Sequence, residues 1–192
     1  VDLHAPQIQG FFNVPIDDLS ATSIIGQYIR KKDFQDDIVI VSPDHGGATR
    51  ARRVSDTIPG SSIAIIDKRR TSPNVAESVN LVGDVKDKIA IIVDDIVDTA
   101  GSMLGGVNML FDKGAKEVYA ATTHAVLSDP ALERIRTSKI TELLVTNTIE
   151  LDEEKAGEPK IVVISIAYML AKTIEAITYN NPVSEIWALF ND

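Results

Sequence analysis

The chain reads as an α/β protein with a doubly wound, mainly parallel sheet, in a Rossmann-like three-layer arrangement. Three observations predict it. Short runs of β-branched residues at 38–41, 62–66, 88–93, 118–122, 143–146 and 161–164 alternate with helix-patterned stretches from Ser20 onward. Such alternation is the signature of βαβ units. The runs are apolar throughout rather than every second residue, as in strands buried on both faces. Two of them, ending before Asp44 and at Asp94, run through turns rich in acids and glycine into a helix. Open α/β sheets bind their ligands at such strand ends.

The elements follow in order. Val1 to Leu3 has the pattern of a strand end, and His4 to Phe12 follows as a loop with Pro6 and Gly10 as breakers. Ser20 is a candidate N-cap for a helix with Ile24, Ile25, Tyr28 and Ile29 on one face, closed by Arg30, Lys31 and Lys32 as the macrodipole prefers. The strand 38–41 ends in Ser42-Pro43-Asp44-His45-Gly46-Gly47, and a helix continues through Arg50, Arg52 and Arg53. The strand 62–66 runs into Asp67-Lys68-Arg69-Arg70, read as a mobile basic loop. Thr99 to Lys113 is the helix after the strand 88–93, stopped by Gly114. Thr123 to Ser128 is another strand-end turn, and Pro130 to Ile135 opens a short helix. A last helix covers Ser165 to Ile177, with Ile166, Met169, Leu170, Thr173 and Ile177 on its apolar side. The tail 183–190 fits an edge strand or a short helix.

Composition narrows the function classes. A length of 192 residues suits one domain or slightly more. The absence of cysteine excludes disulfides and thiolate metal sites. A formal charge of −9 argues against nucleic acid as the partner. No apolar run approaches the roughly 20 residues of a membrane span, and no stretch has the features of a signal peptide. The expectation is a soluble cytoplasmic protein without membrane contact. The opening Val1-Asp2-Leu3-His4, without a methionine, reads as the later part of a longer chain.

The stretch Ile89 to Ser102 organises the rest. Asp94 and Asp95 close an apolar run, and Asp98-Thr99-Ala100-Gly101-Ser102 leads into a helix. A helix N-terminus with backbone N–H groups and two hydroxyls is a ready anion site. Carboxylates beside it point to a ligand with hydroxyls at one end and phosphate at the other, a sugar phosphate. The three cations Lys68, Arg69 and Arg70 leave the same sheet edge. A solvated charge run is their ordinary reading, and their position favours an anion clamp. His4 read alone is a loop histidine or a ligand.

The organising stretch resembles the ribose-phosphate signature of the phosphoribosyltransferase-like fold. Val1 to Phe12, Ser42-Pro43-Asp44-His45-Gly46-Gly47 with Thr49-Arg50-Ala51-Arg52, and Asp67-Lys68-Arg69-Arg70 with 73–77 further resemble the ribose-phosphate diphosphokinase family, which makes phosphoribosyl pyrophosphate (PRPP). The resemblance runs to about Ile149. It implies transfer of the pyrophosphoryl group of ATP to the 1-hydroxyl of ribose 5-phosphate, giving PRPP and AMP for nucleotide biosynthesis. It assigns Asp98, Thr99, Ala100, Gly101 and Ser102 to the 5-phosphate, and Asp94 and Asp95 to the ribose hydroxyls. It makes His4 and Asp44 ligands of Mg2+, and Asp44, His45, Gly46 and Gly47 the pyrophosphate loop. Lys68 and Arg70 become the catalytic cations, with Arg70 also near ribose 5-phosphate.

The same resemblance implies a domain plan. Residues 1–20 would be the remnant of an N-terminal domain carrying a metal-binding loop, 21–178 the catalytic domain, and 179–192 a tail packing on the N-terminal half. It also implies a homo-oligomer, a dimer or hexamer, with ADP or phosphate as effectors. The chain departs from the family at Ala125 and Asp129, where Pro and Gly are usual, which bears on regulation more than on chemistry. Two other readings are a non-catalytic regulatory subunit of the synthase family, which should have lost the catalytic lysine or metal ligands, and a base-salvage phosphoribosyltransferase, which would not need His4, Asp44 and the Lys68/Arg70 loop together.

Overall fold

A computed structural model describes residues 1–69 and 78–190. The strands are β1 (Ile38–Ser42), β2 (Ser62–Arg69), β3 (Ser78–Val82), β4 (Ile89–Val97), β5 (Glu117–Ala125), β6 (Glu142–Thr146) and β7 (Ile161–Ile164). They form one sheet in the order β3-β2-β1-β4-β5-β6-β7. Every neighbouring pair is parallel except β2 and β3. The helices are α1 (Thr22–Lys31), α2 (Ala48–Asp56), α3 (Gly101–Asp112), α4 (Ala131–Thr137), α5 (Glu153–Ala156) and α6 (Ala167–Thr178), with 3-10 segments at Pro6–Phe11 and Val183–Phe190.

Alternation along β4 divides the core between two faces. Ala90 and Ile92 lie in one cluster with Met103, Val107 and Leu110 of α3 and Ile135 of α4. Ile89, Ile91 and Val93 lie in the other with Ile25 and Ile29 of α1 and Ala51 and Val54 of α2. Helices therefore cover both sides, and the predicted doubly wound α/β fold is what the chain adopts. Gly26 lets α1 approach the end of α2, since a Cβ there would fall 1.9 Å from Thr57 Oγ1.

Several elements differ from the sequence reading. Val1 to Leu3 is irregular chain rather than strand, and the loop after it contains the 3-10 turn Pro6–Phe11. β2 continues through Asp67, Lys68 and Arg69, where a loop was expected, and pairs antiparallel with β3, which the pattern did not predict. β4 ends at Val97 rather than Val93, and β5 absorbs Thr123, His124 and Ala125. The cause is mutual: Asp94↔Thr122, Ile96↔His124 and Val97↔Ala125 prolong both strands together. On α6, Leu170 and Ile177 are exposed, while Met169, Thr173 and Ala176 are buried. That helix is apolar on most sides, so its periodicity does not select a face. The tail forms the 3-10 segment, and Ile186 and Phe190 pack with Met169, Ala176 and Leu19.

Candidate functional site

The strand order reverses between β1 and β4, the switch point where open α/β sheets bind ligands. The β1–β4 ladder stops at Val41↔Ile92, but β4 runs on to Val97 paired only with β5. The segment 94–97 therefore has an open edge above the end of β1. α2 sends Arg50 into that opening.

Arg50 Nη1 donates to Asp94 Oδ1 at 3.3 Å and Nη2 donates to Asp95 Oδ2 at 2.9 Å. His4 Nδ1 lies 3.0 Å from the same Asp95 oxygen. A carboxylate only accepts, so His4 Nδ1 carries the hydrogen. Asp94 Oδ1 also accepts the Asp95 N–H at 2.9 Å. Burial pushes the Asp94 carboxyl up to about 6, helped by its Asp95 neighbour. Burial also opposes ionisation of Asp95, but Arg50 and the bonds from His4 and Asp94 outweigh it and hold Asp95 below the usual carboxylate range. Two adjacent acids are thus unequal: one stays charged, and the other titrates near neutrality.

The turn Asp98–Ser102 is exposed except at Ala100. Ala100 caps α3 in the left-handed region at φ 59, the last of three residues that turn the chain from strand into helix. The first turn of any helix leaves N–H groups without intrahelical acceptors. Arg134 of α4 braces the turn from the side: its Nη1 donates to Thr99 O at 2.9 Å. A Cβ on Gly101 would fall 3.2 Å from that nitrogen.

The turn after β1 is tied to itself. Gly47 N–H donates to Asp44 Oδ1 at 2.8 Å, and Ser42 Oγ donates to Asp44 O at 2.6 Å. A Cβ on Gly47 would meet Ser42 Oγ at 2.8 Å, so Gly47 is required by this closure. Gly46 and His45 are exposed, and His45 Nε2 lies 3.1 Å from Oδ1 of the buried Asp67 at the end of β2. The backbone of Lys68 lies in β2 opposite Val79. The assignment of Arg70 falls outside the described residues.

Of the residues singled out from sequence, the fold brings His4, Asp95 and Asp94 into direct or relayed contact. It places Asp44, Gly46 and Gly47 on the neighbouring strand end. Asp44 and His4 have separate partners, Gly47 N–H and Asp95. Among the described residues no three His, Asp or Glu side chains come together as a metal cage. The donors present suit a Mg2+ ion that arrives on phosphates, since that ion is ordinarily held by one or two protein groups and several waters or phosphate oxygens. His4 fits: Asp95 fixes its tautomer, as a carboxylate does behind a ligating imidazole, and its ring is 74% exposed. Asp44 fits through Oδ2, the oxygen that Gly47 does not use.

Sequence reasoning missed Arg50 and Arg134 as parts of the site. Arg50 carried a signal: a cation in the first turn of a helix opposes the macrodipole and calls for a partner. Arg134 carried none, because α4 reaches the turn only through tertiary packing.

A doubly wound, mainly parallel sheet with two adjacent acids and a strand-to-helix turn at its switch point places the chain among α/β proteins of the open-sheet kind. Comparison with known families narrows this: the chain belongs to the phosphoribosyl synthetase-associated domain family, whose model matches residues 50–188. It is 53% identical over 184 residues to a ribose-phosphate pyrophosphokinase of Halalkalibacterium halodurans, covering 96% of this chain and 57% of that protein. It is 53% identical over 188 residues to the Bacillus subtilis protein of the same name, covering 98% and 58%. The crystal structure of phosphoribosylpyrophosphate synthetase from Mycobacterium smegmatis superposes with a TM-score of 0.85 at 43% identity, covering 94% of this chain and 58% of that one. The chain thus spans rather more than half the length of the relatives it matches. Among the described residues no helix is long and apolar enough to cross a membrane.

Proposed function

We propose that this chain is the ribose-phosphate-binding portion of a ribose-phosphate diphosphokinase, which joins ATP and ribose 5-phosphate to give PRPP and AMP. The observation that carries the reading is the Asp94–Arg50–Asp95–His4 cluster, set beside the Asp98–Ser102 turn at the switch point. Relatives named ribose-phosphate pyrophosphokinase support the reaction class.

In this reading the Asp98–Ser102 turn holds the 5-phosphate through backbone N–H groups and the Thr99 and Ser102 hydroxyls. Asp94 accepts from the ribose hydroxyls, with Asp95 behind it, a charge-assisted arrangement stronger than neutral hydrogen bonding. Asp95 serves chiefly to orient His4, a second role beside the ribose contact expected of it. The 1-hydroxyl oxygen attacks the β-phosphorus of ATP and releases its proton to solvent. The bond from that phosphorus to the bridging oxygen breaks, and the oxygen leaves on AMP. Such transfers depend on positioning and charge stabilisation more than on covalent help. Lys68 and Arg70 supply cations to the transferring group. His4 and Asp44 would hold Mg2+, which when bound would neutralise phosphate charge. Gly46 and Gly47 let the backbone near the pyrophosphate, with His45 beside them.

The test is AMP release by the longer protein, measured with and without ribose 5-phosphate and Mg2+. AMP formation independent of ribose 5-phosphate would refute the reaction. Lys68→Ala should lower turnover by several orders of magnitude and leave ribose 5-phosphate binding nearly unchanged. A small effect on turnover would remove Lys68 from its role.

A further inference from the structure

His4 reaches Asp95 through a bend that is clamped from outside the site. Asp2 stands at φ 43, in the left-handed region. A non-glycine residue rarely adopts this conformation and is kept in it by surrounding bonds. They do so on every side. Asp2 N–H donates to Leu19 O at 2.7 Å. Asp2 Oδ2 accepts Ala21 N–H at 2.8 Å and Thr123 Oγ1 at 2.7 Å. The carbonyls of Val1 and Asp2 lie 3.0 and 3.1 Å from His124 Nε2. Two residues after the bend, His4 meets Asp95.

The ring of His124 is itself fixed. Both partners of Nε2 are carbonyl oxygens, so Nε2 carries the hydrogen and is shared between them. Nδ1 lies 2.9 Å from Thr148 Oγ1, just beyond β6. Thr148 and Thr146 also gather on Thr123 O, at 2.9 and 2.7 Å. The clamp therefore spans the tips of β5 and β6. β5 is the strand whose ladder with β4 sets Ile96 opposite His124, one strand away from Asp95. The same paired extension that opened the site also carries the clamp.

We propose that His124 is a positioning residue: it holds the Val1–Asp2 backbone in the left-handed bend that sets His4 against Asp95. It touches no substrate and acts through His4. For what His4 then does, the proposal rests on the function proposed above. The placement of His4 stands apart from that.

The chain has three histidines, so its ring signals are few enough to follow singly by NMR. His124→Phe keeps a ring and removes the donor; His124→Gln restores an N–H near the Nε2 position. In the Phe variant the His4 ring signals should move to the positions of free histidine, and amide exchange at Ala21, bonded to Asp2, should quicken at least tenfold. The Gln variant should stay near the parent on both. Parent-like His4 signals in the Phe variant, or a folded Gln variant that fails to restore them, would overturn the proposal. Should the Phe variant not fold, Thr123→Val removes the other bond from the β5 tip, and an unchanged Ala21 exchange rate there would count equally against it. In the longer protein, His124→Phe should raise KM for ATP about tenfold and leave KM for ribose 5-phosphate within twofold. Equal shifts in both would mark a merely structural role and overturn it. Mn2+ added to the parent tests the other premise: unbroadened His4 signals would refute the metal role of His4, while the clamp is still judged by the variants.

Discussion

At the scale of the residue, the site turns on one guanidinium serving two adjacent carboxylates. Arg50 is 21% exposed and Asp95 9%, so removing Arg50 leaves poorly solvated charge. Arg50→Met should lower stability by about 2 kcal/mol, less than for a fully buried pair because Asp94 retains solvent. A urea midpoint unchanged from the parent would contradict this. Asp94 sets a pH dependence. Its carboxyl titrates near 6 in the fold against an ordinary value of 3.8. Between those values the folded chain keeps a proton that the unfolded chain has released. This group's contribution is therefore full below about pH 4 and is lost as pH rises through 6. Asp95, lowered by Arg50 and His4, contributes in the opposite sense, and its contribution is lost below the ordinary range. Asp94→Asn should thus gain stability relative to the parent from pH 4 to pH 7, read from urea midpoints at both ends. A constant difference would show that burial does not perturb Asp94.

At the scale of the element, the decisive event is that β4 and β5 outrun β1. The sequence marked the acids as the end of a strand, because Asp is a poor strand former. Pairing with Thr122 and His124 overrides that propensity and carries the acids into the ladder, where one edge stays open. The strand that the pattern missed, β3, has the polar Ser78 and Asn80 and only five residues. It exists through its antiparallel partner, which no local signal discloses. Arg134 shows the same limit: its contact with Thr99 joins α4 to a turn 35 residues away. Arg134→Met should weaken ribose 5-phosphate binding to this chain about fivefold to tenfold, measured by calorimetry, with little change in melting temperature. Undiminished affinity would mean that the turn holds its shape without the brace. Gly26→Ala tests the packing of α1 on α2. The gain in helix propensity of about 1 kcal/mol should be outweighed by the clash with Thr57, for a net loss of about 1–2 kcal/mol. A stabilised variant would show that the helices can separate without penalty.

At the scale of the molecule, the sheet acts as a frame whose switch point gathers groups from distant stretches of chain. His4, Arg50, Asp95 and the Asp98–Ser102 turn lie there, with Arg134 bonded to the Thr99 carbonyl of that turn and His124 to the backbone just before His4. A ligand that binds the folded frame and not the unfolded chain stabilises it by mass action. Ribose 5-phosphate at one hundred times its Kd should add about 2.7 kcal/mol, seen as a rise in melting temperature that Asp98→Asn reduces. No rise with the parent chain would place ribose 5-phosphate elsewhere. By itself the sequence determined the α/β class, the burial of the strands and the acids and glycines gathered at strand ends, because apolar runs, turn glycines and paired acids are local signals. Only the tertiary structure decided where β4 ends, which cation partners the acids, and how His4 is brought to Asp95. Those outcomes depend on pairing between strands and on contacts across 45 to 122 residues of chain, and a pattern within one element carries no information about its partner.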